Sequence, residues 1–324
     1  MSVPHLDHSP VVCAGLVVAD HVTTPLDHLP RPGELVAADD LVLNIGGGAA
    51  NTAVDLARLG VRSTICARVG DDFFGRFATE TLRSRGVDDS GLKVDPSRPT
   101  SQTLIVNVRG EDRRFIHAYG ANRGFVAEDL DAVLTRNPRV LHIGYFLILP
   151  HLEAAPLADR FRRARANGTI TLLDVATPGP GDHIDRLRVV LPETDIFVPN
   201  TDEAALILGE TDPIRQALAF REMGARRVVI TLGERGAISL SDELQTRVGV
   251  YPTTFVDGSG GGDAFNAGYI LGLLEGRTER ECLKLASAIG SSCVRAVGTT
   301  DGVFTRDEAD AFIGSHELAF ETLG

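Results

Sequence analysis

A run of glycines ending in an acid, Asp257-Gly258-Ser259-Gly260-Gly261-Gly262-Asp263, stands directly before a segment of helical character, Ala264 to Ile270. The first N–H groups of a helix have no partner within it and carry partial positive charge. Gly260, Gly261 and Gly262 have no Cβ, so a phosphate can approach those N–H groups closely. Asp263 shares that helix end, where a carboxylate can take the proton of a hydroxyl attacking a phosphoryl group. The same stretch, taken by itself, also suits a Gly-rich turn capped by Asp263.

Three further motifs occupy comparable positions. Gly46-Gly47-Gly48-Ala49-Ala50-Asn51 lies between a strand-like and a helix-like run. Glycines there let a ligand touch the main chain, and the Asn51 amide offers a donor and an acceptor to hydroxyl groups; a tight strand-to-helix turn needs the same residues. Asn200-Thr201-Asp202-Glu203 follows the apolar run Ile196 to Val198. Asn with Glu three residues on is a capping box. An acid at the C-terminal edge of a parallel sheet can also organise Mg2+-bound waters near a nucleotide. Thr231-Leu232-Gly233-Glu234-Arg235-Gly236 is a strand ending in a glycine turn, which a plain hairpin also produces.

These motifs need a frame, and the hydrophobic pattern supplies one. Val11 to Ala19, Arg62 to Val69, Val140 to Ile143, Thr169 to Leu173, Ile196 to Val198 and Val228 to Thr231 read as strands. Ala50 to Leu59, Phe73 to Arg85, Ala154 to Asn167 and Pro213 to Met223 read as helices, with Gly60 and Gly86 as stops. The alternation predicts an α/β fold, a mostly parallel sheet covered by helices on both faces. Two stretches break it. His21 to Leu43 holds Pro25, Pro30, Pro32 and Gly33, and Leu92 to Tyr119 reads as strands around the turn Arg109-Gly110-Glu111-Asp112. Such β-rich insertions, about 20–43 and 92–119, can form a small lid beside the main sheet. No repeat or linker divides the chain, so residues 1–324 read as a single domain.

Lysine plus arginine number 32 against 44 aspartates plus glutamates, a net charge of −12. That balance lacks the cationic footprint of a nucleic-acid binder. No apolar run approaches the roughly 18 residues of a membrane span. Met1 to Pro10 has no basic signal-peptide region, so the chain reads as cytoplasmic, without a membrane partner. Cys13, Cys66, Cys282 and Cys293 show no metal spacing and read as reduced core thiols. His117 and His142 read as ordinary lid or core residues. GxxxxGK[ST], GxSxG and HExxH are missing, and no GxGxxG follows the first strand.

In this combination and order, the motifs resemble the ribokinase-like (PfkB) carbohydrate kinase family from Val11 to about Ala311. Gly47-Gly48-Ala49-Ala50-Asn51-Thr52-Ala53, then Gly60 and Gly70, match its N-terminal signature. Asp257 and Ser259 to Ile270 match the C-terminal one, and the Asn200-to-Glu203 and Thr231-to-Gly236 elements fall between them. The resemblance implies a three-layer α/β/α fold with a β lid, and phosphorylation of a sugar hydroxymethyl group by ATP. It implies Asp263 as the base, with the N–H groups of Gly260, Gly261 and Gly262 as an anion hole. Asp20, Gly47 and Asn51 would hold the sugar. Asn200 and Glu203 would serve the Mg2+-phosphate region, Glu203 through water, while Thr231, Gly233 and Gly236 line the nucleotide site. It implies a monovalent cation, K+, at Asp257 and the carbonyls of Ser259, Cys293, Ala296 and Gly298. A homodimer through the lid is also implied.

Four positions depart from the pattern. Gly258 stands where relatives usually carry Thr, Ser, Pro or Val. Val18 and Gly48 replace the Asn and Lys of ribokinases proper, and Gly144-Tyr145-Phe146 replaces an acid. The pocket is less polar for it, so a fructokinase-like or ketodeoxygluconate-kinase-like sugar stays open. So does a purine nucleoside, because Tyr145 with Phe146 can wall a base, as in an adenosine-type kinase. A catalytically silent sugar or nucleotide sensor is the reading from another class; Asp263 and the intact glycine triplet argue against it.

Overall fold

A computed structural model describes residues 10–111, 113–181 and 183–323. Most of the segment read for a targeting signal, Met1 to Ser9, lies outside the described residues, as does Asp112 of the Arg109 turn. The strands are β1 (Val11–Gly15), β2 (Val18–Thr23), β3 (Leu41–Gly46), β4 (Ser63–Gly70), β5 (Asp88–Asp95), β6 (Gln102–Val106) and β7 (Arg114–Ala118). They continue with β8 (Val140–Gly144), β9 (Ile170–Leu173), β10 (Ile196–Phe197), β11 (Arg227–Thr231), β12 (Ala237–Leu240), β13 (Gln245–Val248) and β14 (Phe320–Thr322).

Ten strands form the main sheet in the order β14-β13-β12-β11-β10-β9-β8-β1-β4-β5. Every neighbouring pair from β5 to β11 is parallel, and β12 to β14 add an antiparallel end. The apolar runs are continuous because both faces are covered. In β1, Val11 and Cys13 enter one core with residues of the helices Gly48–Arg58, Gly261–Leu274 and Glu279–Cys293. Val12 and Ala14 enter the opposite core with Ala154–Ala166 and Pro213–Glu222. Each fully buried Val or Leu stabilises by about 1.5–3 kcal/mol. The expected three-layer α/β/α arrangement is the one observed.

A second sheet, β3-β2-β6-β7, stands beside the first. Its β2–β6 pair is parallel and its other two pairs antiparallel. The run Val11 to Ala19, read as one strand, divides at Leu16 and Val17. The Asn122 amide takes the place of a strand partner there, donating to Val17 O at 2.9 Å and accepting from Val17 N–H at 3.5 Å. The second insertion is shorter than expected. Leu92 to Asp95 pair in parallel with Ala67 to Gly70, so they close the main sheet and do not join the small one.

Candidate active site

The ends of β1, β8, β9, β10 and β11 meet the small sheet across a cavity of about 690 Å³, at the C-terminal edge where α/β sheets bind ligands. A second cavity of about 620 Å³ adjoins it. Both are lined by Thr231, Gly258 and Gly262, so the pair runs past the N-terminus of the helix Gly261–Leu274. Asp263 lines only the first, while Gly233, Gly236, Phe255 and Phe265 line only the second.

Gly260 caps that helix in the left-handed region, φ 74°, and no side chain bonds to the helix end. Asp263 is therefore not the cap that a turn reading makes it. It is the third helical residue, and its carboxylate turns into the cavity. A Cβ on Gly262 would meet nothing within 4 Å. Neither packing nor φ requires glycine at that point, so its missing side chain leaves a space at the helix N-terminus of the kind a phosphate fills.

Asp263 is 2% exposed. Its Oδ2 accepts from Asn51 Nδ2 at 2.8 Å and from the Tyr145 hydroxyl at 2.9 Å. Its Oδ1 and the Asn51 Oδ1 are both buried with no hydrogen-bond partner. Burial pushes the Asp263 carboxyl up to about 6, and the two donors restrain the rise. Asn51 arrives from the first turn of Gly48–Arg58, where Gly47 is the cap at φ 96°. The expected glycine turn forms, and Gly47 also lines the cavity.

Asp20, on β2, faces the same cavity beside Thr103 of β6. Burial raises its carboxyl to about 7. The other wall holds Asp174, just past β9, and Glu203. Asn200 and Glu203 form the capping box: Glu203 N–H donates to Asn200 Oδ1 at 2.8 Å and Asn200 N–H to Glu203 Oε2 at 2.9 Å. Burial, then the Asp263 charge, pushes Glu203 up to about 8. Asp174 accepts from Asn266 Nδ2 at 3.1 Å, and burial with Glu203 and Asp263 holds its carboxyl well above the usual range. Asp174, Glu203 and Asp263 thus oppose one another across a cavity that a cation would relieve. Among the described residues no three His, Cys, Asp or Glu stand close enough to cage a metal; carboxylate oxygens are the donors that a hard cation such as Mg2+ takes.

Thr231 and Asn200 are joined as a parallel bridge, which sets the capping box beside the nucleotide-type glycines. Gly233 begins a single 3-10 turn between β11 and β12, so this motif is an antiparallel hairpin that also lines the second cavity.

The five residues expected around K+ are brought together. The Asp257 carboxylate accepts from Gly298 N–H at 3.1 Å, the Cys293 thiol donates to Ser259 O at 3.3 Å, and Ala296 N–H reaches Cys293 O at 3.5 Å. Arg113, however, approaches Asp257 Oδ1 at 2.9 Å. The guanidinium thus reaches the one charged group of the set.

Sequence reasoning missed Asp174, Arg113 and the setting of His117. Asp174 had one local signal, an acid directly after a buried parallel strand. His117 lines the cavity, pairs with Thr103 Oγ1 at 3.0 Å, and leaves its buried Nε2 unpartnered. His142 is a core residue, and burial lowers its ring to about 3. All four cysteines are buried and free.

Fold and site together define a phosphotransferase of the three-layer α/β/α type. The profile described as pfkB family carbohydrate kinase matches residues 9–306, and the chain belongs to that family. A ribokinase from Haemophilus influenzae is 25% identical over 308 residues, 92% of this chain and 96% of its own. A nucleoside kinase from Methanothermobacter thermautotrophicus is 29% identical over 289 residues, 88% and 89% of the two chains. A candidate ribokinase II from E. coli, solved with ATP and Mg2+, superposes with a TM-score of 0.80 at 26% identity, over 95% of this chain and all of that one. The chain is thus a kinase of the group that phosphorylates sugars and nucleosides.

Proposed function

We propose that this chain is an ATP-dependent sugar kinase that transfers the γ-phosphoryl group to a hydroxymethyl group of a small carbohydrate. One observation carries the reading. Asp263 Oδ1 is a buried acceptor with no partner, beside the equally unpartnered Asn51 Oδ1. Two orphaned acceptors on a cavity wall call for hydroxyl donors, and a polyol supplies them. Asp20 and the Gly47 backbone complete the sugar end. Asp263 Oδ1, its lone pairs free, takes the proton of the attacking hydroxyl. The N–H groups of Gly260, Gly261 and Gly262 receive the transferring phosphoryl oxygens. Adenine and ribose take the second cavity, against Thr231, Gly233 and Gly236. Asn200, Glu203 and Asp174 would hold Mg2+ through water, and the ion would neutralise charge on the nucleotide phosphates.

Residues 1–324 are one kinase domain in this reading, with the small sheet as its lid. Its outer face exposes Leu104 and Ile116, which suits a second copy of the chain. The buried free cysteines suit the cytoplasm. A second reading, a purine nucleoside kinase, is favoured by Phe115. It lines the cavity beside Ile105 and is 59% exposed, an apolar surface that a base can cover.

A coupled ADP-release screen over hexoses, pentoses, keto-deoxy acids and nucleosides tests both. Turnover with a sugar supports the first reading, and turnover confined to nucleosides moves the assignment to the second. Binding of ATP without turnover on any acceptor leaves a silent sensor.

A further inference from the structure

The Asp257 carboxylate has about four lone-pair directions, as any carboxylate does. Four donors reach the carboxylate, three on Oδ1 and one on Oδ2. Ser259 N–H, Ser259 Oγ and Arg113 Nη1 each donate to Oδ1 at 2.9 Å, and Gly298 N–H donates to Oδ2 at 3.1 Å. Arg113 also contacts Ser259 Oγ, so the guanidinium braces both residues that lead into the glycine triplet. The neighbouring carbonyls of Ser259 and Cys293 are engaged by the Cys293 thiol and the Ala296 N–H. Arg113 thus brings a positive charge to the carboxylate that the resemblance offers to K+.

Arg113 does not belong to the loop. It immediately precedes β7 of the small sheet, 144 positions from Asp257 in the chain. It passes beside Gly258. A Cβ there would lie 3.5 Å from Arg113 Nη2 and 3.6 Å from the Phe255 ring, in ordinary van der Waals contact with both. The branched Thr or Val that relatives carry adds further atoms beside the guanidinium, so the departure at Gly258 gives Arg113 room.

We propose that Arg113 takes the place of the monovalent cation: a guanidinium from the small sheet orders the phosphate loop, and the protein works without K+. This rests on reading the glycine triplet as the phosphate site. The guanidinium is part of the chain, so the charge it brings does not depend on the salt in solution. It is also tied to the lid, so the loop is ordered only while β7 stays docked. Arg113 is a positioning residue here, acting through Asp257 and Ser259.

The test compares thermal melting and turnover of the full chain in KCl, NaCl and tetramethylammonium chloride at matched ionic strength. The unmodified protein should melt at one temperature and turn over at one rate in all three. Arg113→Ala should lose about 10-fold in kcat without K+, the loss of one charge-assisted hydrogen bond. It should regain most of that in K+ and show a K+-specific rise in melting temperature. Arg113→Lys should keep cation independence, which separates charge from packing. Gly258→Thr, which crowds Arg113 without removing it, should gain the same K+ response and serves if Arg113→Ala does not fold. A K+-selective rise in melting temperature or kcat of the unmodified protein overturns the proposal. So does an Arg113→Ala protein that matches it in every salt. Melting is read without turnover, so a protein that phosphorylates nothing refutes the kinase reading while the cation comparison still stands.

Discussion

The Tyr145 hydroxyl and Asn51 Nδ2 both donate to one oxygen of Asp263, Oδ2, and leave Oδ1 buried without a partner. In the proposed transfer Asp263 is oriented by its fixed oxygen and takes the proton on its free one. Burial sets the Asp263 carboxyl at about 6 against the pull of these donors. Only the ionised form accepts a proton, so kcat/KM should fall below about pH 6 with a slope of one. Tyr145→Phe removes one donor to the ionised form, so the acid limb should move to higher pH. Rates at alkaline pH should change less than those at neutral pH. A pH–rate profile of both proteins decides, and coincident acid limbs would refute the role of the hydroxyl.

The position of Tyr145 depends in turn on Gly48. A Cβ on Gly48 would stand 2.7 and 2.8 Å from Cδ1 and Cε1 of the tyrosine ring. Tyr145 itself occupies the left-handed region at φ 63°, uncommon outside glycine. Gly48→Ala should displace the ring, cost about 1–3 kcal/mol of stability, and move the acid limb as Tyr145→Phe does. Tyr145→Gly relieves both overlap and backbone strain, so the double variant should recover part of that stability. Denaturant melts of the four proteins give the coupling energy, and simple additivity would contradict the steric account.

Asp263→Asn keeps the shape of the side chain and removes its ability to accept the proton. It should lower kcat by at least ~10²-fold, the lower figure for loss of a general base. Nucleotide affinity, measured by calorimetry, should persist, because the second cavity excludes Asp263. Unchanged turnover would remove Asp263 from the chemistry.

The glycine clusters, the Asn200 capping box and the parallel strands were legible because each is written in neighbouring residues. Asp174 and Arg113 were not. Asp174 meets Asn266 from 92 positions away, and Arg113 meets Asp257 from 144. A lone acid after Leu173 or a lone arginine before a strand has no local spacing to announce it. The division of Val11 to Ala19 was hidden for the same reason, since Asn122 makes it from 105 positions on. The departure at Gly48 was visible, but its counterpart Tyr145 becomes its explanation only once β8 is laid beside the helix it touches.

Asp174→Asn tests the metal side of the cavity. Its oxygen keeps the bond from Val175 N–H, its NH2 meets the otherwise unpartnered Asn266 oxygen once that amide turns over, and one of three opposed acids is removed. Half-saturation by Mg2+ should rise about 10- to 100-fold, the range for an outer-shell partner. Melting temperature and sugar affinity should hold. An unchanged Mg2+ titration would place Asp174 outside the ion's shell.

Asp55 offers a test of stability that does not pass through the reaction. It is fully buried in Gly48–Arg58, and neither carboxylate oxygen has a hydrogen-bond partner. Burial, followed by the charge of Asp263, holds its carboxyl well above the usual range, against weaker opposition from Arg58 and Arg85. The folded chain therefore keeps a proton that the unfolded chain releases near the ordinary value of about 3.9. Stability from this group is complete below that value and is lost as pH rises through the raised folded value. Asp20, Asp174 and Glu203 act in the same direction, so melting temperature should decline as the solution is made alkaline. Asp55→Asn is uncharged and nearly the same shape, so it should flatten that decline without abolishing it. Melting curves of the two proteins between about pH 6 and 9 measure the difference in slope. Parallel curves would mean that Asp55 is ionised in the fold and has a partner the structure does not reveal.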